Sequence, residues 1–149
     1  MMKKILITGG AGYIGSHVAE VLAKNKKKFI IVDNLSTGFK ELINKKVNFY
    51  KINILETKKL KQIIIKNNID SVIHLAGSLV IGVGEKFPKR YYRNNVSATQ
   101  SLLSACKNTS VKNFIFSSTA AVYKDKQKIV NETSKIKPKS VYGKTKVKA

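Results

Sequence analysis

The chain is poor in the residues that build covalent or metal frameworks. Cys106 is the single cysteine, which excludes an intramolecular disulfide and suits a reducing, cytoplasmic setting. It falls in an apolar helical stretch and reads as a packed core thiol. His17 and His74 are the two histidines, and only 8 residues are acidic. No cluster has metal-ligand spacing, so no metal is expected. Long apolar runs are missing as well. The start, Met1-Met2-Lys3-Lys4-Ile5-Leu6-Ile7, breaks at Thr8-Gly9-Gly10, short of the roughly 7–15 apolar residues of a signal peptide. The weakly polar stretch from Ser71 to Gly84 contains His74 and is too short to cross a bilayer, so no membrane association is expected.

Arginine is scarce too. The net charge is +21, yet Arg90 and Arg93 are the only arginines among 29 basic residues. Sequence-specific nucleic-acid readers lean on arginine for bidentate contacts, which a lysine point charge does not supply. The lysines occur in every segment alongside abundant isoleucine and asparagine, residues encoded by AT-rich codons. Genome composition is the simpler origin of the charge, and a functional polybasic surface is the alternative. No specific nucleic-acid partner is expected, only salt-sensitive adhesion.

With 149 residues, 43% of them hydrophobic, the chain suffices for one compact domain with a core. Apolar runs predict strands at Lys3–Thr8, Phe29–Asp33, Val47–Lys51, Ser71–Leu75 and Asn113–Ser117. Helical spacing is found over Gly12–Lys24, Leu55–Asn67 and Pro88–Asn108, with Pro88 near a first turn. Strands alternating with helices of this length imply an α/β fold, a doubly wound parallel sheet.

Between the first strand and first helix stands Thr8-Gly9-Gly10-Ala11-Gly12-Tyr13-Ile14-Gly15. Glycines at 9, 12 and 15 permit a tight turn, close approach of a pyrophosphate and close helix–strand packing. The helix start offers free amide hydrogens to that anion. Asp33 ends the next strand, 18 residues past Gly15, where a carboxylate can accept both ribose hydroxyls of NAD and would repel the 2′-phosphate of NADP. The following Asn34, Leu35, Ser36, Thr37 and Gly38 supply neutral donors, and Lys40 is the one nearby cation. The expected cofactor is NAD, in a Rossmann-type domain.

Three further segments complete a set: Val72-Ile73-His74-Leu75-Ala76-Gly77, Ser117-Ser118-Thr119-Ala120-Ala121-Val122-Tyr123 and Tyr142-Gly143-Lys144-Thr145-Lys146. With the glycine turn and the Asp33 segment, in this order, they resemble the extended short-chain dehydrogenase/reductase family along essentially the whole chain. The resemblance implies an NAD-dependent nucleotide-sugar 4-epimerase, interconverting UDP-glucose and UDP-galactose, or an N-terminal piece of one that is inactive alone. Thr119, Tyr142 and Lys146 are the implied catalytic residues. Tyrosine is a weak acid, near ~10 in water, and a lysine one helical turn away favours its phenolate. Tyr142 thereby becomes a usable base. Thr119 would bond the same sugar hydroxyl.

The resemblance also assigns cofactor contacts. Tyr13 and Ile14 would line the pyrophosphate, and the run from Leu75 through Ala76 and Gly77 to Leu79 would follow the cofactor. Asn94 would reach it from a helix. Asn53, with Ile54 after it, takes the place of the family's usual adenine-contacting aspartate, keeping an acceptor and adding a donor. Leu79 stands where some close relatives carry a lysine. A dehydratase would need acids after Thr119, where Ala120 and Ala121 stand, whereas a decarboxylase or a non-catalytic NAD-binding piece stays open. Family members are roughly twice as long, so these residues are expected to form the NAD-binding part without its last strands or substrate domain. The full-length form is expected to bind a nucleotide sugar as a homodimer.

Overall fold

Five short stretches rich in isoleucine, valine and phenylalanine pair in parallel in the computed structural model of the chain, which describes residues 4–124 and 129–149. They are β1 (Lys4–Thr8), β2 (Lys28–Asp33), β3 (Asn48–Lys51), β4 (Ser71–His74) and β5 (Asn113–Phe116), in the spatial order β3-β2-β1-β4-β5. The chain winds outward from β1 to β2 and β3, then returns to β4 on the other side of β1. Strand order therefore reverses between β1 and β4, the position at which a doubly wound sheet opens a crevice at its strand C-termini. The expected fold class is observed, and each strand boundary lies within one residue of its expected place. Lys3, the expected start of β1, lies outside the described residues.

The described residues group into two compact units. One comprises the chain up to Ala76 with Ser101–Ser117, and the other Gly77–Gln100 with Ser118–Ala149. In the first unit, side-chain alternation along the strands builds two apolar faces. Ile7 and Ile31 pack with Ala19 of α1 (Tyr13–Lys24), joined by the partly buried Val18, Leu22 and Phe29. Leu6, Ile30, Val32 and Val72 point the other way and are fully buried, as are Leu60 and Ile64 of α2 (Thr57–Lys66). The Thr57 and Ser101 hydroxyls meet at 2.6 Å, tying α2 to α5 (Ala98–Cys106). Cys106, half-buried in α5, has a thiol pushed up to about 11 by burial, in keeping with a packed thiol.

The second unit departs from the sequence reading. A short helix α3 (Ile81–Lys86) forms from Ile-Gly-Val-Gly-Glu-Lys, whose two glycines hide it from any propensity argument. The helix expected over Pro88–Asn108 runs without a break from Pro88 to Cys106, but its middle is a π-helical turn (Tyr92–Ser97) between α4 (Pro88–Tyr91) and α5. Pro88 does open the first of them. A π turn takes one more residue than an α turn, a local shift of register too short for a spacing pattern to show. The unit ends in α6 (Val141–Lys148). Among the described residues no helix is long and apolar enough to cross a membrane.

The burial pattern makes a direct stability prediction. Leu6→Ala, at a fully buried central-strand position, should cost about 2–5 kcal/mol in urea unfolding. Ile115→Ala on the edge strand, 60% exposed, should cost less than about 1 kcal/mol.

Candidate functional site

The glycine turn is shaped by backbone-on-backbone contact. Gly9 has φ +74°, and a side chain there would meet the Ala76 nitrogen at 2.6 Å. Its carbonyl accepts the Gly12 N–H at 3.2 Å and lies 2.1 Å from where a Gly15 side chain would begin. Gly9 and Gly15 are therefore required by packing. Gly12 is not: a side chain there would meet nothing tighter than the Gly9 carbonyl at 3.4 Å. Gly12 caps α1 without a side-chain bond, and no acid lies in the first turn. The first-turn amides are thus left to an anion, and the glycine leaves it room. Tyr13 and Ile14 flank this end and are 80% and 59% exposed.

Asp33 closes the neighbouring side. Its carboxylate accepts the Ala11 N–H at 3.0 Å and the Leu35 N–H at 2.8 Å, which leaves lone pairs for two hydroxyls. Asn34 accepts the Ser36 N–H at 2.9 Å, and Thr37 follows in the same loop. Gly38 returns to within 2.8 Å of Ala11, measured from a side chain built on it, while the Phe39 N–H donates to the Ala11 carbonyl. The Asn53 side chain accepts the Leu55 N–H at 3.0 Å and starts the turn into α2. Ile54 is buried, and its carbonyl accepts the Ser101 hydroxyl at 2.8 Å. Leu75 is fixed by its N–H to the Thr8 carbonyl, with Ala76 against Gly9. All of these belong to the sheet unit, at the C-terminal ends of β1, β2, β3 and β4.

Thr119, Tyr142 and Lys146 belong to the second unit together with Gly77, Leu79 and Asn94. Thr119 caps a 3-10 turn (Ala120–Val122), its hydroxyl accepting the Ala121 N–H at 3.2 Å. The Ala121 carbonyl lies 2.4 Å from the place of a Gly143 side chain, so Gly143 lets α6 press against the Thr119 turn. The start of α6 is fixed twice over: Ser140 accepts the Gly143 N–H at 3.0 Å, and Glu85 accepts the Val141 N–H at 2.7 Å. Lys148 lies over the Tyr92 ring at 5.6 Å and holds the other end. Tyr142 and Lys146 stand half-buried, one turn apart. Burial lowers the Lys146 ammonium from its ordinary range to about 8.

Asn95 is the residue that sequence reasoning passed over. Buried in the π turn, it accepts the Ser78 N–H at 2.7 Å and donates to the Ser78 carbonyl and to Thr145 Oγ1. Thr145 in turn donates to the Tyr142 carbonyl at 2.7 Å. The neighbouring Asn94, the residue selected from the sequence, donates to the Ser78 hydroxyl at 3.0 Å. A pair of adjacent asparagines gives no sign of which one is buried; that depends on the π turn. Gly77 abuts Asn95 as well, and Leu79 is 67% exposed. Among the described residues no group of three or more His, Cys, Asp or Glu side chains gathers around a metal-sized space.

A family model matches residues 5–149, and the chain belongs to the NAD dependent epimerase/dehydratase family. Within that family it is similar to UDP-glucose 4-epimerases. The enzyme of Schizosaccharomyces pombe is 40% identical over 128 residues, covering 81% of this chain and 36% of the relative. That of Dictyostelium discoideum is 38% identical over 152 residues, covering 97% and 44%. The crystal structure of UDP-glucose 4-epimerase from Brucella ovis in complex with NAD superposes with a TM-score of 0.93 at 39% identity, covering 97% of this chain and 45% of that one. The UDP-Glc/GlcNAc 4-epimerase of Campylobacter jejuni gives 0.93 at 36% identity, covering 98% and 46%. The chain thus spans less than half the length of these relatives.

Two measurements probe the α6 arrangement. Gly143→Ala must displace a backbone carbonyl and should destabilise the chain by about 1–3 kcal/mol in thermal melting. Lys146 holds its proton more weakly folded than unfolded. Between about 8 and the unfolded value of about 10.4 the unfolded chain binds the extra proton, so its contribution to stability rises with pH in that window. Lys146→Met should remove that rise from the pH dependence of unfolding.

Proposed function

We propose that the chain carries the NAD site and the catalytic residues of a nucleotide-sugar 4-epimerase acting on UDP-glucose and UDP-galactose. The observation that carries this reading is that α6, which bears Tyr142 and Lys146 and is fixed at both ends, packs through Gly143 against the turn capped by Thr119. The cofactor reading rests on the uncapped α1 terminus, the room left by Gly12 and the Asp33 carboxylate. NAD, when bound, would supply hydride acceptance and return at the sugar's C4. The α1 amides would hold its pyrophosphate and Asp33 its adenosine ribose, with Asn53 toward the adenine.

The chain's own chemistry in this reading is proton handling. Tyr142 removes the proton of the sugar's 4-hydroxyl and later returns it, and an anionic phenolate beside Lys146 stabilises the ammonium that burial disfavours. Thr119 donates or accepts at the same oxygen. Ala120 and Ala121, which follow it, hold no proton, and this favours epimerisation over dehydration. The single, burial-suppressed thiol suits a cytoplasmic setting.

Calorimetric titration tests the cofactor half. NAD should bind at least about tenfold more tightly than NADP, a difference of about 1.4 kcal/mol; no NAD binding, or a preference for NADP, would refute it. A chimera tests the catalytic half. Residues 1–149, joined to the remaining portion of the Brucella ovis enzyme, should convert UDP-galactose to UDP-glucose, and Tyr142→Phe in that chimera should lower kcat by about 10²–10⁴-fold. The chain by itself is expected to show no conversion, because the relatives it matches are more than twice its length.

A further inference from the structure

The lysines of the sheet unit are not evenly placed. Because all five strands run parallel, their N-terminal ends share one edge, opposite the C-terminal ends that carry the glycine turn and Asp33. Exposed lysines stand at the entrance to nearly every strand on that edge: Lys26, Lys27 and Lys28 before and at the start of β2, and Lys45 and Lys46 before β3. Across β1, Lys66 ends α2 ahead of β4, and Lys107 and Lys112 precede β5. Asp70 is the one acid among these turns, and it accepts the Ser71 hydroxyl at 2.9 Å. At the opposite edge the charges nearly cancel, with Lys40, Lys51, Lys58 and Lys59 against Asp33, Glu41 and Glu56.

Two ordinary causes fall short of this distribution. Codon bias raises lysine everywhere and does not sort it between the ends of one sheet. Helix C-termini favour a cation in their last turn. That explains Lys66, but not the pairs in the turns ahead of β2 and β3. Ion pairing does not absorb the charge either: the salt bridges found among the described residues, Lys24–Glu20 and Lys59–Glu56, involve none of these side chains. The turns are held in shape by backbone geometry, with Lys26, Asn68 and Asn108 in the left-handed region just after α1, α2 and α5.

We infer that this edge is a docking surface for the phosphate backbone of double-stranded nucleic acid, bound without regard to sequence. Four inter-strand spacings of about 4.8 Å make the edge about 19 Å wide. Its eight exposed lysines then stand at about one per 2.4 Å, close to the roughly one phosphate per 1.7 Å of a duplex. No arginine lies on it to read base edges, and Ile65, exposed beside Lys66, is a lone aliphatic side chain with no aromatic ring to stack on an unpaired base and no apolar patch around it to enter a lipid surface. What remains is an array of ammonium groups, which suits phosphate contact by counterion release.

Fluorescence anisotropy with a labelled RNA duplex of about 20 base pairs tests the inference across a salt series. A variant with Lys26, Lys27, Lys45 and Lys46→Gln should bind at least about tenfold more weakly, with a log–log salt slope smaller by about three. Lys107 and Lys112→Gln, at the other end of the edge, should weaken binding independently. A charge-matched control with Lys40, Lys51, Lys58 and Lys59→Gln should leave affinity within about twofold, since its changes lie at the opposite ends of the same strands. Equal losses in the edge variant and the control would show that net charge alone drives adhesion and would overturn the proposal. So would an absence of duplex binding, or binding to vesicles of phosphatidylserine and phosphatidylcholine in place of the duplex.

Discussion

Gly9 sets the geometry on which the sheet unit's site depends. Its left-handed backbone turns the chain sharply at the end of β1, and the missing side chain lets that turn lie against Leu75 and Ala76 after β4. The same carbonyl that accepts the Gly12 amide sits where a side chain on Gly15 would be. Substituting either residue therefore moves backbone, not merely a flexible side chain. Because the turn sits at the point where strand order reverses, its position fixes where the α1 amides point and how close Asp33 comes to Ala11.

A second constraint of the same kind organises the other unit. Gly143 lets α6 approach the Ala121 carbonyl, and Asn95 ties that helix, through Thr145, to the Ser78 backbone. In both units the residues with the clearest chemistry, Asp33 and Tyr142, are held by neighbours that do no chemistry. The anchoring is largely backbone: amides of Ala11 and Leu35 on one carboxylate, and amides of Val141 and Gly143 received by Glu85 and Ser140. Such bonds are short and directional, and a buried partner left without its bond costs more than the bond itself contributes. Side chains placed this way keep their geometry without a dense apolar core around them.

Charge and function separate in the sheet unit. The C-terminal ends of its strands carry nearly balanced charge around a site suited to a dinucleotide, while the N-terminal ends carry a lysine array. A parallel sheet makes that separation possible, since every strand start lies at one edge and every strand end at the other. A mixed sheet with the same sequence composition would have interleaved the two.

Much of this protein was legible in its sequence. Strand positions followed from branched apolar runs, and the glycine turn was recognisable because only glycine permits both the left-handed step at Gly9 and the close approach at Gly15. Asp33, Thr119, Tyr142 and Lys146 could be named from their order along the chain. The strand and glycine-turn readings hold because they rest on local properties: periodicity and steric permission. The sequence could not show α3, the π turn, or that Asn95 and not Asn94 is the buried member of its pair. Nor could it show that lysines spread along the chain collect at one edge of the sheet. Each of these depends on which residues become neighbours once strands pair and helices pack, and spacing along the chain carries no trace of that.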